Sequence, residues 1–328
     1  MKLKMLYAFA LAVCSCAAAP AASAAGSSYP EAGRPISVVV PFGAGSGTDV
    51  ITRIILSGMS KDLGGNFIVL NKAGASGQIG TEFVARAQPD GYTLLVATNS
   101  THSGNPFLYK SLRYDAVKDF APIGRMTINP LAFLVKADSP FKTAADLIGY
   151  ARQNPGKLTY GYGNTGGQVS AAMLVHMAKI NTIAVPYKTT PQLFTDIVSG
   201  QVDFGFVDFA ASRPLIDGGK LRSLATTSEE RLAFAPAMPA VNETPGLKEF
   251  RLYAWLGLMA PAGTPPAIVE RLNRALNAAL DTPEIRKQLE EQTSSVVKTT
   301  TLPEFQSFLS EQRNLWMTSI QTAGIEPQ

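Results

Sequence analysis

VVPFGAGSGTD, residues 39–49, decides the fold, because it joins an apolar run to the start of a predicted helix through a glycine-rich turn. TYGYGNTGGQVS, residues 159–170, repeats this arrangement further along the chain. The first amides of an α-helix have no partner within the helix, and the macrodipole adds about half a positive charge there. Glycine lets the backbone come close to a ligand and adopt positive φ. Each turn therefore predicts a place where a small anion can bind.

Short apolar strands alternate with helical segments around both turns. The predicted strands are residues 36–40, 67–70 and 93–97 in a first set, 131–135, 158–160, 183–185, 202–206 and 221–225 in a second, and 254–259 before a helical C-terminal part. This alternation is typical of βαβ units, so we expect an α/β fold with mainly parallel sheets flanked by helices. Ligands in such sheets lie at the carboxyl ends of strands. Both glycine turns, and the loops after Thr98 and Val185, are therefore expected to border one cleft.

The first 24 residues are predicted to be a cleaved secretory signal peptide. Lys2 and Lys4 precede an apolar stretch at residues 5–19, and ASA at residues 22–24 matches a small-residue cleavage site. The apolar stretch is shorter than the roughly 20 residues of a membrane-spanning helix. Both cysteines lie inside this segment, so the mature chain is expected to contain no thiol. A lipidated Cys14 within LAVC stays open as an alternative.

Composition argues against a nucleic-acid-binding protein. The chain has 29 basic and 25 acidic residues, and neither sign forms a long run. Because 46% of the residues are hydrophobic and 16% are charged, the chain can bury a large core.

The sequence lacks the motifs of the common enzyme classes. Gly161, Gly163 and Gly166 form a GxGxxG pattern, but the next strand ends in IAVPYK, without the acid that a dinucleotide site needs. No GxxxxGK[ST] or GxSxG motif is present, and the only histidines are His102 and His176. We therefore predict a binding protein without catalytic residues, metal or cofactor. A secreted hydrolase of carboxylate esters stays open as an alternative.

Several segments together carry a family resemblance. RPISVVVPFGAGSGTDVITR, NKAGASGQIGTEFVARAQPDGYTLLVAT, VPYKTTP, SGQVDFGF, GGKLRSLATTS and APAGTP follow one another in this order. With these segments the chain resembles the Bug family of periplasmic solute receptors, which serve tripartite tricarboxylate transporters. The match covers essentially the whole mature chain.

The resemblance implies a two-lobed type II periplasmic-binding-protein fold that closes on a small carboxylate. We expect one lobe from residues 29–129 with 254–328 and the other from residues 130–253. It further implies a monomer in the periplasm that delivers its ligand to transporter membrane subunits. A sensor that feeds a signalling pathway stays open as an alternative. Dicarboxylates, amino acids, tricarboxylates and aromatic acids all present an anionic end, so the ligand itself also stays open.

In that family, backbone amides, hydroxyls and ordered water hold the carboxylate at the strand–helix turns. Here these turns correspond to residues 42–48, 98–100, 163–166 and 187–189. The predicted ligand residues are Phe42, Gly43, Ala44, Gly45, Ser46, Thr48, Asp49, Thr98, Asn99, Ser100, His102, Gly163, Asn164, Thr165, Gly166, Ser170, Tyr187, Lys188, Thr189 and Asp208.

Several of these residues also have an ordinary structural interpretation. Asp49 can favour the first turn of its helix electrostatically, and Ser46 and Thr48 can cap that helix. Asp208 can accept a hydrogen bond from a ligand amino or hydroxyl group, or pair with Arg213. Both interpretations stay open for each residue.

Three of the predicted residues could influence which carboxylate is bound. Lys188 can neutralise a carboxylate or lie in solvent. The family usually has glycine where this chain has Ser46 and Thr189, so we hypothesise that the added hydroxyls change ligand selectivity.

Overall fold

The structure, a computed structural model, describes residues 29–187 and 189–327. The predicted signal peptide and Lys188 lie outside the described residues. The strands are β1 (Ile36–Val40), β2 (Phe67–Asn71), β3 (Thr93–Thr98), β4 (Phe120–Asn129), β5 (Leu131–Lys136), β6 (Thr159–Tyr162), β7 (Ile183–Pro186), β8 (Phe204–Asp208), β9 (Leu221–Thr226) and β10 (Ala254–Pro261). The α-helices are α1 (Gly47–Leu63), α2 (Gln78–Ala85), α3 (Asn105–Leu108), α4 (Ala144–Gln153), α5 (Thr165–Ala178), α6 (Thr190–Ser199), α7 (Phe209–Asp217), α8 (Pro266–Asp281), α9 (Pro283–Thr293) and α10 (Leu302–Thr322).

The first sheet has the strand order β2-β1-β3-β10-β4. β1 pairs in parallel with β2 and β3, whereas β10 runs antiparallel between β3 and β4. Successive side chains of β1 point to opposite faces, so Val38 joins one apolar core and Val39 joins another. Helices α1 and α8 cover the first face, and Phe305 of α10 covers the second. A strand that is covered on both faces has a nearly continuous apolar sequence, which is why ISVVV could be predicted to form a buried strand.

The second sheet has the order β7-β6-β8-β5-β9. β6 pairs in parallel with β7 and β8, and β5 runs antiparallel between β8 and β9. In each sheet, four of the five strands therefore run one way and one strand runs the other way. The expectation of α/β sheets flanked by helices is confirmed, with the correction that each sheet is mixed.

We call the elements around these sheets the first lobe and the second lobe. The chain passes from one to the other at Pro130, between β4 and β5, and returns between β9 and β10. The last helix contacts both lobes, because Phe305 lies in the core of the first and Trp316 in the core of the second. Within residues 29–187 and 189–327, no helix is both long and apolar enough to span a bilayer.

Candidate functional site

The first glycine turn is held closed by its own hydrogen bonds. Ser46 caps α1 by accepting from the amide of Asp49 at 3.3 Å, and the Asp49 carboxylate accepts from the amide of Gly45 at 2.9 Å. Gly45 has φ 76°, a left-handed conformation that favours glycine. Gly43, Ala44 and Gly45 are exposed to solvent. The amides of Gly47 and Thr48 have no hydrogen-bond acceptor among the described residues.

The carboxylate of Asp49 makes its hydrogen bonds within and beside this turn. It is 3% exposed and also accepts from Asn71 Nδ2 at 3.0 Å and Arg53 Nε at 3.1 Å. Burial by itself would raise the pKa of Asp49, but the hydrogen bonds from Arg53, Gly45 and Asn71 outweigh it and hold that pKa below its ordinary value. Asn71 also donates to the Phe42 carbonyl at 3.1 Å. The geometry thus favours the structural interpretation of Asp49, which fixes the shape of the turn.

A third glycine-containing turn, which the sequence analysis did not single out, joins β2 to α2. Four successive residues have positive φ there, at Gly74 (130°), Ala75 (47°), Ser76 (53°) and Gly77 (86°). For the two residues that carry a Cβ, this conformation costs about 1–2 kcal/mol each. GASG between a strand and a helix is the signal that could have found it.

This third turn lies against the first. A Cβ added to Gly77 would stand 3.4 Å from Pro41 Cβ and 3.6 Å from Phe42 Cζ. The Ser76 hydroxyl lies 3.0 Å from the Tyr109 hydroxyl. The third turn therefore lies between the first turn, which it contacts at Gly77, and Tyr109, which it contacts at Ser76.

The loop after β3 continues into a π-helical turn at Ser100–Gly104. The Thr98 amide donates to Thr101 Oγ1 at 3.0 Å, and Thr98 is buried, whereas Ser100 is half-buried. The π-helical turn directs His102 inward, where its ring packs edge-on against Phe120 at 4.8 Å between centroids. Burial and nearby Arg313 lower the pKa of His102 to about 3. His102 is therefore buried in the first lobe, where it cannot contribute to the ligand surface that we predicted for it.

The second glycine turn matches the first in its capping. Asn164 caps α5 by accepting from the amide of Gly167 at 2.8 Å, so the third helical amide is again the one that the cap satisfies. The amides of Thr165 and Gly166 have no acceptor among the described residues. A Cβ added to Gly166 would stand 3.8 Å from Asn99 Nδ2 of the first lobe. The loop after β3 and the second glycine turn therefore meet across the boundary between lobes.

Ser170 lies one turn further along α5. Its side chain is fully buried, and its hydroxyl has no hydrogen-bond partner in the described part of the chain. Because it is buried, Ser170 cannot contribute to the ligand surface that we predicted for it.

A cavity of about 160 Å³ lies between the lobes at the second glycine turn. It is lined by Ser76, Leu108 and Tyr109 of the first lobe and by Tyr162, Gly163, Asn164, Thr165, Gln168 and Tyr187 of the second. The predicted residues Gly163, Asn164, Thr165 and Tyr187 are thus brought together. The first glycine turn does not line this cavity. It contacts the third turn, whose Ser76 is one of the lining residues.

Sequence reasoning missed five of the lining residues. Tyr162 and Gln168 lie inside the quoted second turn and could have been recognised there. No sequence pattern predicted that Leu108 and Tyr109 line the cavity, because their position depends on the short helix α3 that follows the π-helical turn.

The loop after β7 contributes Tyr187. Its hydroxyl donates to Asp196 Oδ2 at 2.7 Å, and burial together with this carboxylate raises the pKa of Tyr187 to about 12. Thr189 is exposed and precedes α6 without a side-chain capping bond. Tyr187 therefore presents its ring to the cavity while its hydroxyl is engaged elsewhere.

Asp208 ends β8 and lies opposite Leu131 of β5. Leu131 in turn approaches Gly166, because a Cβ added to Gly166 would stand 3.6 Å from Leu131 Cδ1. Burial raises the pKa of Asp208, the described residues provide no ion pair for its carboxylate, and the residue as a whole is half-buried. Arg213 pairs instead with Asp217 at 3.6 Å. The predicted alternative of an Asp208–Arg213 pair is wrong.

The described residues bring together no group of three or more His, Cys, Asp or Glu side chains that could hold a metal ion. The chemistry of the site is instead that of amides, hydroxyls and aromatic rings around a cleft.

The family model of the tripartite tricarboxylate transporter family receptor, TctC, matches residues 51–325. The chain belongs to the TctC family. It is 36% identical to the UPF0065 protein in the tcbD-tcbE intergenic region of Pseudomonas sp. (strain P51), over 79% of this chain and 77% of that protein. It is 30% identical to Protein BugT of Bordetella pertussis, over 89% of this chain and 90% of BugT.

Solved structures of similar proteins confirm the two-lobed fold. Rpa4515 of R. palustris with adipate superimposes with a TM-score of 0.83, at 31% identity, covering 92% of this chain and all of that one. The periplasmic binding protein BugD gives 0.78 at 33% identity, covering 90% and 99%. MatC from Rhodopseudomonas palustris with bound malate gives 0.76 at 30% identity, covering 88% and 99%. The chain is therefore a periplasmic solute receptor and not an enzyme, and the hydrolase alternative is set aside.

Proposed function

We propose that this receptor binds a small organic carboxylate between its lobes and delivers it to the membrane subunits of a tripartite tricarboxylate transporter. The observation that carries the proposal is the shared capping of α1 and α5. In each helix the cap satisfies the third amide and leaves the first two amides free, at Gly47 and Thr48 and at Thr165 and Gly166. Solved relatives hold adipate or malate, which present such an anion.

The free amides supply the electrostatic part of the site. Each helix directs two N–H donors and the positive end of its macrodipole toward the space beyond its first turn. Asn99 Nδ2 adds a donor beside Gly166. We propose that Phe42–Thr48, Thr98–Ser100, Gly163–Gly166 and Tyr187–Thr189 contribute the ligand surface, while Asp49 keeps the first turn in shape.

The two connections between the sheets are the proposed hinge. A ligand that contacts both lobes stabilises the closed state by its differential affinity for that state. A tenfold preference corresponds to about 1.4 kcal/mol, so a few well-oriented hydrogen bonds are sufficient. We also propose that the protein is a monomer and that the predicted signal peptide, residues 1–24, is cleaved on export.

Thermal unfolding of the exported protein tests the binding proposal. Adipate, malate, citrate, glutamate and benzoate are added separately, because a ligand at one hundred times its Kd stabilises the folded state by about 2.7 kcal/mol. We expect at least one carboxylate to raise Tm in a concentration-dependent manner. If none raises Tm and calorimetry detects no heat of binding, the proposal fails.

Uptake measurements separate transport from signalling. Cells that lack this receptor are expected to lose uptake of the radiolabelled ligand and to regain it when the receptor is restored. Unchanged uptake in the deletion strain would contradict the delivery step.

A further inference from the structure

We infer that the ligand is a monocarboxylate whose uncharged body, about the size of one aromatic ring, fills the cavity between Tyr109, Tyr162 and Tyr187. This inference rests on the proposed function and specifies the chemical class of the ligand.

The volume of the cavity agrees with a ring of this size. The space measures about 160 Å³. An apolar protein cavity of about 150 Å³ binds benzene, so a single ring is accommodated without expansion.

The lining is neutral throughout its described part. The nine lining residues include three tyrosines and one leucine and contain no Lys, Arg, His, Asp or Glu. Away from the free amides at the start of α5, these lining residues offer no charged partner to a second carboxylate, and moving an unpaired carboxylate out of water is strongly unfavourable. The rings of Tyr162 and Tyr187 instead suit an aromatic ligand, because aromatic pairs gain about 0.5–1.5 kcal/mol beyond area burial.

One acidic side chain lies directly behind the lining. Tyr187 donates its hydroxyl to the carboxylate of Asp196, so a negative charge stands directly behind its ring. A second carboxylate on the ligand beside Tyr187 would meet repulsion from Asp196.

The position of the cavity sets the orientation of the ligand. Gly163, Asn164 and Thr165 form one side of it, so a carboxylate at the free amides of Thr165 and Gly166 places the body of the ligand against Tyr162. The first-lobe side offers the neighbouring hydroxyls of Ser76 and Tyr109, which are 3.0 Å apart. These groups suit an uncharged hydroxyl on the far side of a ring.

Calorimetry on the exported protein tests the inference with benzoate, 4-hydroxybenzoate, succinate, adipate and malate. We expect the two aromatic monocarboxylates to bind with a Kd at least tenfold lower than any of the dicarboxylates. Tyr162→Ala and Tyr109→Ala, one from each lobe, are each expected to weaken 4-hydroxybenzoate at least tenfold. Tyr150→Ala is the matched control, because Tyr150 is 42% exposed on α4 and does not line the cavity.

The outcomes separate this inference from the proposed function. Tighter binding of a dicarboxylate, particularly binding that Lys188→Met abolishes, overturns the inference and leaves carboxylate binding in place. Aromatic binding that neither cavity variant weakens overturns the assignment to this cavity. Binding of no carboxylate from either group overturns the proposed function itself.

Discussion

At the scale of single residues, Asp49 and Asp208 show how surroundings decide the role of a carboxylate. Asp49 lies in the first turn of α1 and Asp208 ends β8, and only Asp49 receives donors from three residues, Gly45, Arg53 and Asn71. Hydrogen bonds to the ionised form favour it, whereas burial alone favours the neutral form. The two residues are therefore expected to respond to pH in opposite directions.

Asp49→Asn is expected to destabilise the fold by about 1–3 kcal/mol at pH 7, because the buried donors around it lose a charged acceptor. Since the folded-state pKa of Asp49 is depressed, its contribution is present above the ordinary value of 3.8 and is lost as pH falls through the folded value. Urea unfolding as a function of pH measures this: the wild type loses more stability in acid than the variant does. Asp217→Asn, which breaks an exposed pair with Arg213, is the control and should change little. Equal losses in both variants would contradict the assignment.

Asp208→Asn is expected to raise Tm slightly at pH 7. Its folded-state pKa is raised above 3.8, so the ionised side chain disfavours the folded state once the pH exceeds that raised value. Below pH 3.8 the carboxyl is neutral in both states, and the gain of the variant should disappear. A variant that is less stable than the wild type at pH 7 would show that the carboxylate has a stabilising partner.

At the scale of elements, the turn between β2 and α2 concentrates backbone strain beside the cleft. Ala75 and Ser76 keep left-handed φ although both carry a Cβ. Such strain persists where surrounding contacts fix the conformation, and here Asn105 Nδ2 donates to the Ser76 carbonyl at 3.0 Å. Tertiary contacts therefore hold the turn that lines the first-lobe side of the cavity.

Ala75→Gly is expected to increase the free energy of unfolding by up to about 1 kcal/mol, because relief of about 1–2 kcal/mol of strain exceeds the entropy that glycine adds to the unfolded chain. Ala73→Gly, two residues earlier and outside the positive-φ residues, should instead destabilise the protein by about 0.5–1 kcal/mol. Chemical denaturation of both variants gives the comparison. Destabilisation by both would argue against strain at Ala75.

At the scale of the whole molecule, α10 couples the two lobes. Phe305 and Phe308 belong to the core of the first lobe, and Trp316 and Ile320 belong to the core of the second. Trp316 is fully buried and lies against Gly104, where an added Cβ would stand 3.4 Å from its ring. Movement of the lobes must therefore be accommodated along this helix as well as at the two connections between the sheets.

Trp316→Ala is expected to cost about 3–5 kcal/mol and to divide unfolding into two transitions, since it removes the anchor of α10 in the second lobe. Phe308→Ala on the same helix is the control, because it truncates a side chain of the first-lobe core and leaves the Trp316 anchor in place. Differential scanning calorimetry resolves the number of transitions. A single cooperative transition in the Trp316 variant would contradict coupling through this residue.

Not every element could be predicted from its own residues. The sequence analysis missed β4, whose segment FAPIGRMTIN contains Pro122, Gly124 and Arg125 and shows no clear alternation. It becomes a strand because it pairs along its length with β10, more than a hundred residues away. Helix α7 was also missed, since Pro214 lies inside it.

The sequence by itself determined the features that depend on neighbouring residues. The strands β1 and β3, the helix α4 with its Thr143–Asp146 capping box, and the two glycine turns at strand–helix junctions all arise from spacing within one turn or one strand. Only the tertiary structure decided that His102 turns toward Phe120, that Asn99 meets Gly166, and that Tyr187 binds Asp196 above the cavity. The physical reason is that capping and periodicity act over a few residues. The burial of a side chain and the neighbours it meets depend instead on how whole elements pack together.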